Sequence, residues 1–179
     1  PCIADDPSGE HSVATSRSAG PVGNVAMLNA GETDEVYVAL IDARGTPRAS
    51  GGDASRIVVD ITTPDGTACN DCSLRVADMA NGEYKVSYSV KQVGEYSVDV
   101  SVANADGAVT AIQQSPFVTI VSPGQIDAAQ CQMEVSNTEA NVGEWITVTT
   151  VARDRHGNIV ESLDTDAAFV IFPSSLERD

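Results

Sequence analysis

Apolar and polar residues alternate one for one through most of this chain, in short runs closed by turn residues, and a period of two commits a chain to strands. Tyr84, Val86, Tyr88 and Val90 alternate with Lys85, Ser87 and Ser89, and Tyr96, Val98, Val100 and Val102 with Ser97, Asp99 and Ser101. Earlier runs place Val36, Val38 and Leu40 on one face, then Ile57, Val59 and Ile61 opposite Arg56, Asp60 and Thr62. Ser73 to Met79 is a further candidate, with Leu74 and Val76 expected inward, and Ser115 to Val121 closes the series with Phe117 as its anchor. Pro64-Asp65-Gly66, Asn81-Gly82 and Ala105-Asp106-Gly107 separate the runs as turns. No window keeps a helical stripe. The pattern predicts about seven short strands in an all-β, immunoglobulin-like antiparallel sandwich with polar outer faces.

The pattern starts over after Pro123-Gly124. Val148 to Asp154 echoes Val36 to Asp42, Gly143-Glu144 echoes Gly31-Glu32, and the offset is 112 residues (154 − 42). Phe169 and Ile171 then fall near the positions of Ile57 and Val59. Three segments are expected: 1–20 as a linker or the end of a preceding domain, 21–122 as one repeat, and 123–179 as the N-terminal part of a second. Pro1 in place of a start methionine predicts a processed or excised piece of a longer protein. A second copy of about three strands leaves sheet edges open. Either the chain is truncated, or another chain completes the sheet.

A net charge of −16 excludes phosphate-driven nucleic-acid binding and disfavours anionic membranes. No apolar stretch is long enough to insert into a membrane. Aromatics make up only 4% of the chain, so Val, Ile, Leu and Ala must fill the core, which suits thin strands better than a large ligand cavity. The four cysteines predict disulfides in an oxidising compartment, Cys69 with Cys72 and Cys2 with Cys131. Zinc would need a second ligand pair, and neither His11 nor His156 forms one. Asp5-Asp6 and Asp164-Thr165-Asp166 match no defined calcium loop. No nucleophile elbow, phosphate loop or His-Glu-x-x-His motif occurs. The expectation is a non-enzyme without cofactor or metal.

Asn81-Gly82-Glu83-Tyr84-Lys85-Val86-Ser87-Tyr88 resembles the signature hairpin of filamin-type repeats. Gly94-Glu95-Tyr96-Ser97-Val98-Asp99-Val100 resembles the strand that follows it, and Ser115-Pro116-Phe117 with Val118 and Ile120 resembles the closing strand. Asp154-Arg155-His156-Gly157-Asn158 looks like the family's early Asp-x-x-Gly-Asn turn. The family's usual Gly before Ser-Pro-Phe is Gln114 here, and the Cys-x-x-Cys loop departs from cytoplasmic filamins. Those departures resemble the extracellular filamin-repeat proteins, including gamete adhesion proteins of plants and green algae.

The resemblance implies strand addition in the groove between the third and fourth strands. Carried over, that surface comprises Arg56, Ile57, Val58, Val59, Asp60, Ser73, Arg75 and Ala77, with Cys69–Cys72 at its rim. The function expected is an extracellular or cell-surface adhesion module that recognises a protein or copies of itself. A spacer or filament subunit, and an intracellular filamin-like scaffold, are the alternatives.

Overall fold

Val36, Val38 and Leu40 are shut off from solvent on one face of their strand, as are Tyr84, Val86, Tyr88 and Val90 on the facing side of theirs. Burial of each such side chain contributes roughly 1.5–3 kcal/mol, which fixes the register because a one-residue slip would turn the whole set to water. The computed structural model describes residues 6–16, 25–136, 139, 141 and 143–161. Its strands are β1 (Val13–Ser16), β2 (Val25–Asn29), β3 (Thr33–Ala39), β4 (Ile57–Thr62), β5 (Ser73–Asp78) and β6 (Glu83–Ser89). They continue as β7 (Gly94–Ala103), β8 (Val109–Ala111), β9 (Phe117–Ser122), β10 (Gln132–Val135) and β11 (Val148–Val151).

Two sheets pack face to face. One has the order β1-β3-β6-β5, the other β2-β9-β7-β4, with β8 also on β7. Every pairing is antiparallel except β2 with β9. Tyr96, Val98, Val100, Val102 and Phe117 from the second sheet close the core against Val36, Tyr84, Val86 and Tyr88 from the first. The all-β immunoglobulin-like sandwich expected from the alternation is the fold.

The N-terminal boundary needs correction. Residues 1–20 are expected as a linker or the end of a preceding domain, yet Val13–Ser16 forms β1 and pairs with β3 from Val13↔Ala39 to Ser16↔Val36. Ser12 and Ala14 are fully buried, and Pro7 bridges Asp42. The repeat therefore begins near residue 7, and small residues hide its first strand from a hydrophobicity reading. Leu74 also departs from expectation: it is 45% exposed, because β5 lies at the sheet's edge and nothing described covers it there.

The second unit repeats the first in its hydrogen bonds. Asp42 Oδ1 accepts the backbone N–H groups of Arg44 and Thr46 at 2.9 and 2.8 Å, and Asp154 Oδ1 accepts those of His156 and Asn158 at 2.8 and 3.0 Å. Glu32 accepts from the Asn29 N–H as Glu144 accepts from the Asn141 N–H, both at 2.8 Å. The Pro7↔Asp42 bridge has its counterpart in Ile126↔Asp154, and β1–β3 in β10–β11. Phe169, Ile171 and Asp164 to Asp166 lie outside the described residues.

Candidate functional site

β4 ends one sheet and β5 ends the other, so two strand edges run along the same side of the sandwich. Among the described residues, each carries backbone donors and acceptors on its outer side that no neighbouring strand takes up. Between them lies a groove of about 370 Å³ lined by Val59, Asp60, Ile61, Thr62, Ala68, Cys69, Cys72 and Leu74. Its floor is apolar because Val59 packs against the core and Ile61 belongs to it. Its lip carries one exposed carboxylate, that of Asp60.

The connection from β4 to β5 shapes one end of the groove. Gly66, at φ 82°, lets the chain reverse after Pro64-Asp65. The chain then returns along β4, with a Thr62↔Ala68 bridge and the Cys69 N–H donating to the Ile61 carbonyl at 2.8 Å. Thr63 Oγ1 donates to Asp65 Oδ1, and the Thr67 hydroxyl donates to the same oxygen at 2.9 Å. The Thr63 hydroxyl first, then the Thr67 hydroxyl and N–H, hold the Asp65 carboxyl below the usual carboxylate range. The expected Cys69–Cys72 disulfide is present, with Cα atoms 5.6 Å apart, and pins the loop where β5 begins. The loop thus occupies the C-terminal end of the β4 edge and the Ile57 N–H donates to the Ala54 carbonyl at the other end, so among the described residues Val58 to Asp60 remain as the open stretch.

The sequence-predicted site residues divide into three groups. Val59 and Asp60 line the groove, and Ser73 and Arg75 stand exposed along the β5 edge, with Ala77 half-buried beside them. Ile57 belongs to the core, and Val58 points to the opposite face. Arg56 lies just before β4, in the 3-10 turn Ala54–Arg56. Its Nη1 pairs with Asp6 at 2.7 Å and its Nε with Asp53 at 3.4 Å, so its charge is committed to the N-terminal segment and away from the groove. Ile61, Thr62, Ala68 and Leu74 line the groove without being among the predicted site residues. Leu74 was hidden by the period-two reading, which assigns even positions of β5 to the core.

The second expected disulfide, Cys2 with Cys131, falls partly outside the described residues. Cys131 is a thiol that donates to the Asp127 carbonyl at 3.3 Å at the start of β10, and Cys2 lies outside the described residues. Among the described residues, no group of three or more His, Cys, Asp or Glu side chains converges as a metal site.

An antiparallel two-sheet sandwich with an open, groove-lined edge defines an immunoglobulin-like repeat. The filamin/ABP280 repeat model matches residues 11–118, and the chain belongs to that family. It is 39% identical over 84 residues to the rat E3 ubiquitin-protein ligase TRIM71, a match spanning 47% of this chain and 9% of that protein. Among solved structures it is similar to the Escherichia coli adhesin FdeC, with a TM-score of 0.55 and 19% identity over 86% of this chain and 43% of that one. It is also similar to invasin, a bacterial integrin-binding protein, with a TM-score of 0.55 and 17% identity over 89% of this chain and 29% of that one. The start of the family match at residue 11 agrees with β1 as part of the repeat.

Proposed function

We propose that this chain is a non-enzymatic adhesion module of the cell surface or extracellular space, which captures a protein segment as an added strand in the groove between β4 and β5. The observation that carries the reading is the pair of open edges flanking an apolar groove. An extended segment seated there would gain main-chain hydrogen bonds from an edge and place alternate side chains against Val59 and Leu74. With Asp60 at the lip and a chain charge of −16, a segment with alternating apolar residues and basic flanks fits best. The names of the structural neighbours, an adhesin and an integrin-binding protein, support the adhesive setting, as does the disulfide.

The test is selection from a random linear peptide library on the immobilised chain, followed by amide chemical-shift mapping. The expected winners alternate apolar residues, carry Lys or Arg at the flanks, and shift Val59, Asp60 and Ser73 to Ala77. They lose affinity at least tenfold against Leu74→Glu. Peptides that map elsewhere, ignore that substitution, or fail to enrich at all overturn the reading.

The match to a repeat within an E3 ubiquitin-protein ligase favours a second reading, an intracellular filamin-like scaffold using the same groove. Thiol alkylation before and after reduction, read by intact mass on protein taken from its native source, separates the two. Cys69 and Cys72 blocked until reduced support the extracellular setting, and immediate alkylation of both supports the scaffold.

A further inference from the structure

The two copies of the Asp-x-x-Gly turn share one internal geometry and differ in surroundings. In the first unit, Asp42 is half-buried and Thr46 exposed. In the second, Asp154 is 0% and Asn158 5% exposed. The difference comes from the end of the first sandwich, against which the second turn is seated.

Two loops of the first unit and the connection that follows it form the seat. The Asn158 side-chain amide donates to the Lys91 carbonyl at 2.8 Å, and the Val93 N–H donates back to Asn158 Oδ1 at 3.2 Å. The Gly124 N–H donates to Asp154 Oδ2 at 2.9 Å, and the Asn158 amide reaches the same oxygen at 2.8 Å. Gly31 lies so close to the ring of His156 that a Cβ there would overlap it. Asn158 meets a backbone carbonyl and a backbone N–H with one donor and one acceptor, a reciprocal pairing that an amide supplies and a hydroxyl at the end of a shorter side chain does not.

We propose that the end of the first repeat formed by Gly31 and Lys91 to Val93, together with Gly124 of the connection, is a docking surface whose partner is the Asp-x-x-Gly-Asn turn of the following repeat, making the joint between repeats rigid. The seat lies at the end of the sandwich, so consecutive repeats couple while the β4–β5 groove remains open. Asn158 is the selecting residue, because Thr46 builds the same turn without an amide to offer.

Asn158→Thr in the full chain isolates this role, since the first repeat shows that Thr supports the turn itself. Two measurements read the joint by NMR. In the unsubstituted chain the Val93 and Gly124 amides are expected to resist hydrogen exchange, and residual dipolar couplings from β3–β9 and from β10–β11 are expected to fit one alignment tensor. In Asn158→Thr, Val93 exchange is expected to rise at least tenfold and the two sets to need separate tensors, while Val98 and Thr150 keep their protection. Two tensors in the unsubstituted chain, or a variant with Val93 exchange and tensor unchanged, overturns the proposal.

Discussion

Tyr88 and Asp34 face each other across β6 and β3, and the Tyr88 hydroxyl donates to Asp34 Oδ2 at 2.9 Å with both residues closed to solvent. The same hydroxyl lies 2.7 Å from Thr119 Oγ1 in β9, so one polar group ties the two sheets together. Burial pushes the Tyr88 hydroxyl well above the usual tyrosine range. A phenol that stays protonated is always available as a donor to a carboxylate in an otherwise apolar layer. Tyr88→Phe removes that donor and leaves the space filled. The expected cost is about 1.5–3 kcal/mol, the range for a hydrogen bond to a charged group, read from the midpoint of denaturant unfolding. Tyr96→Phe should cost less, near 1 kcal/mol, because its hydroxyl meets a carbonyl, that of Gln92, at 3.2 Å in a partly open site.

Gln114 sits at φ 71°, in the left-handed region where a Cβ is unfavourable. The resemblance to filamin-type repeats places a Gly at this position, and the backbone supplies the reason: the chain must reverse before Pro116 and Phe117 enter β9. Gln114→Val should therefore be less stable than Gln114→Gly by about 1–2 kcal/mol. Comparing the two variants in denaturant cancels the contacts of the Gln side chain.

What the sequence reveals here depends on the range of the interaction. The Tyr84–Val90 and Tyr96–Val102 strands are legible because each carries its own period, and every inward residue of both is buried. β1 is illegible because its single core residue is Ala14, set between Val13 and Thr15 with Ser12 and Ser16 on either side, so no run of alternating large apolar residues marks it. The alternation turns both Tyr88 and Tyr96 inward but says nothing of where their hydroxyls end: that of Tyr96 meets the Gln92 carbonyl, while that of Tyr88 lies between the sheets, where partners from β3 and β9 meet it. The groove was half legible: the alternation locates β4 and β5, but it cannot say that β5 is an edge, and so it assigns Leu74 to the core. The seat for Asn158 involves Lys91 and Val93, a long way back along the chain, and no local pattern encodes it.

The Cys69–Cys72 disulfide closes a very short loop. The chain-entropy relation then gives a stabilisation of only about 2 kcal/mol, so Cys69→Ser with Cys72→Ser should fold and unfold at a modestly lower denaturant midpoint. The larger consequence is local. Both sulfurs line the groove, and without the bond the loop that runs back along β4 is held by the Thr62↔Ala68 bridge and the Cys69–Ile61 hydrogen bond. Peptides selected on the disulfide-bonded chain should bind the double variant more weakly, with amide exchange rising at Cys69 and unchanged at Val100.

The acid response of the repeat joint follows from Asp154. Burial pushes its carboxyl up, but the Asn158 side chain and the N–H groups of Gly124, Asn158 and His156 outweigh that and hold it below the usual carboxylate range. A carboxylate whose folded pKa is depressed contributes stability that is fully present above its unfolded value, 3.8, and is lost as pH falls through the lower folded value. The joint should therefore be unchanged from neutral pH down to about pH 5 and open below the ordinary carboxylate range. The Gly124 amide resonance, followed from pH 7 to pH 2, reports this directly, because its acceptor is the titrating oxygen. A midpoint at or above 3.8 for that resonance would show that the hydrogen bonds do not favour the charged form. Asp154→Asn should lose the dependence and weaken the seat at every pH, since both carboxylate oxygens accept hydrogen bonds and the amide nitrogen that replaces one of them accepts none.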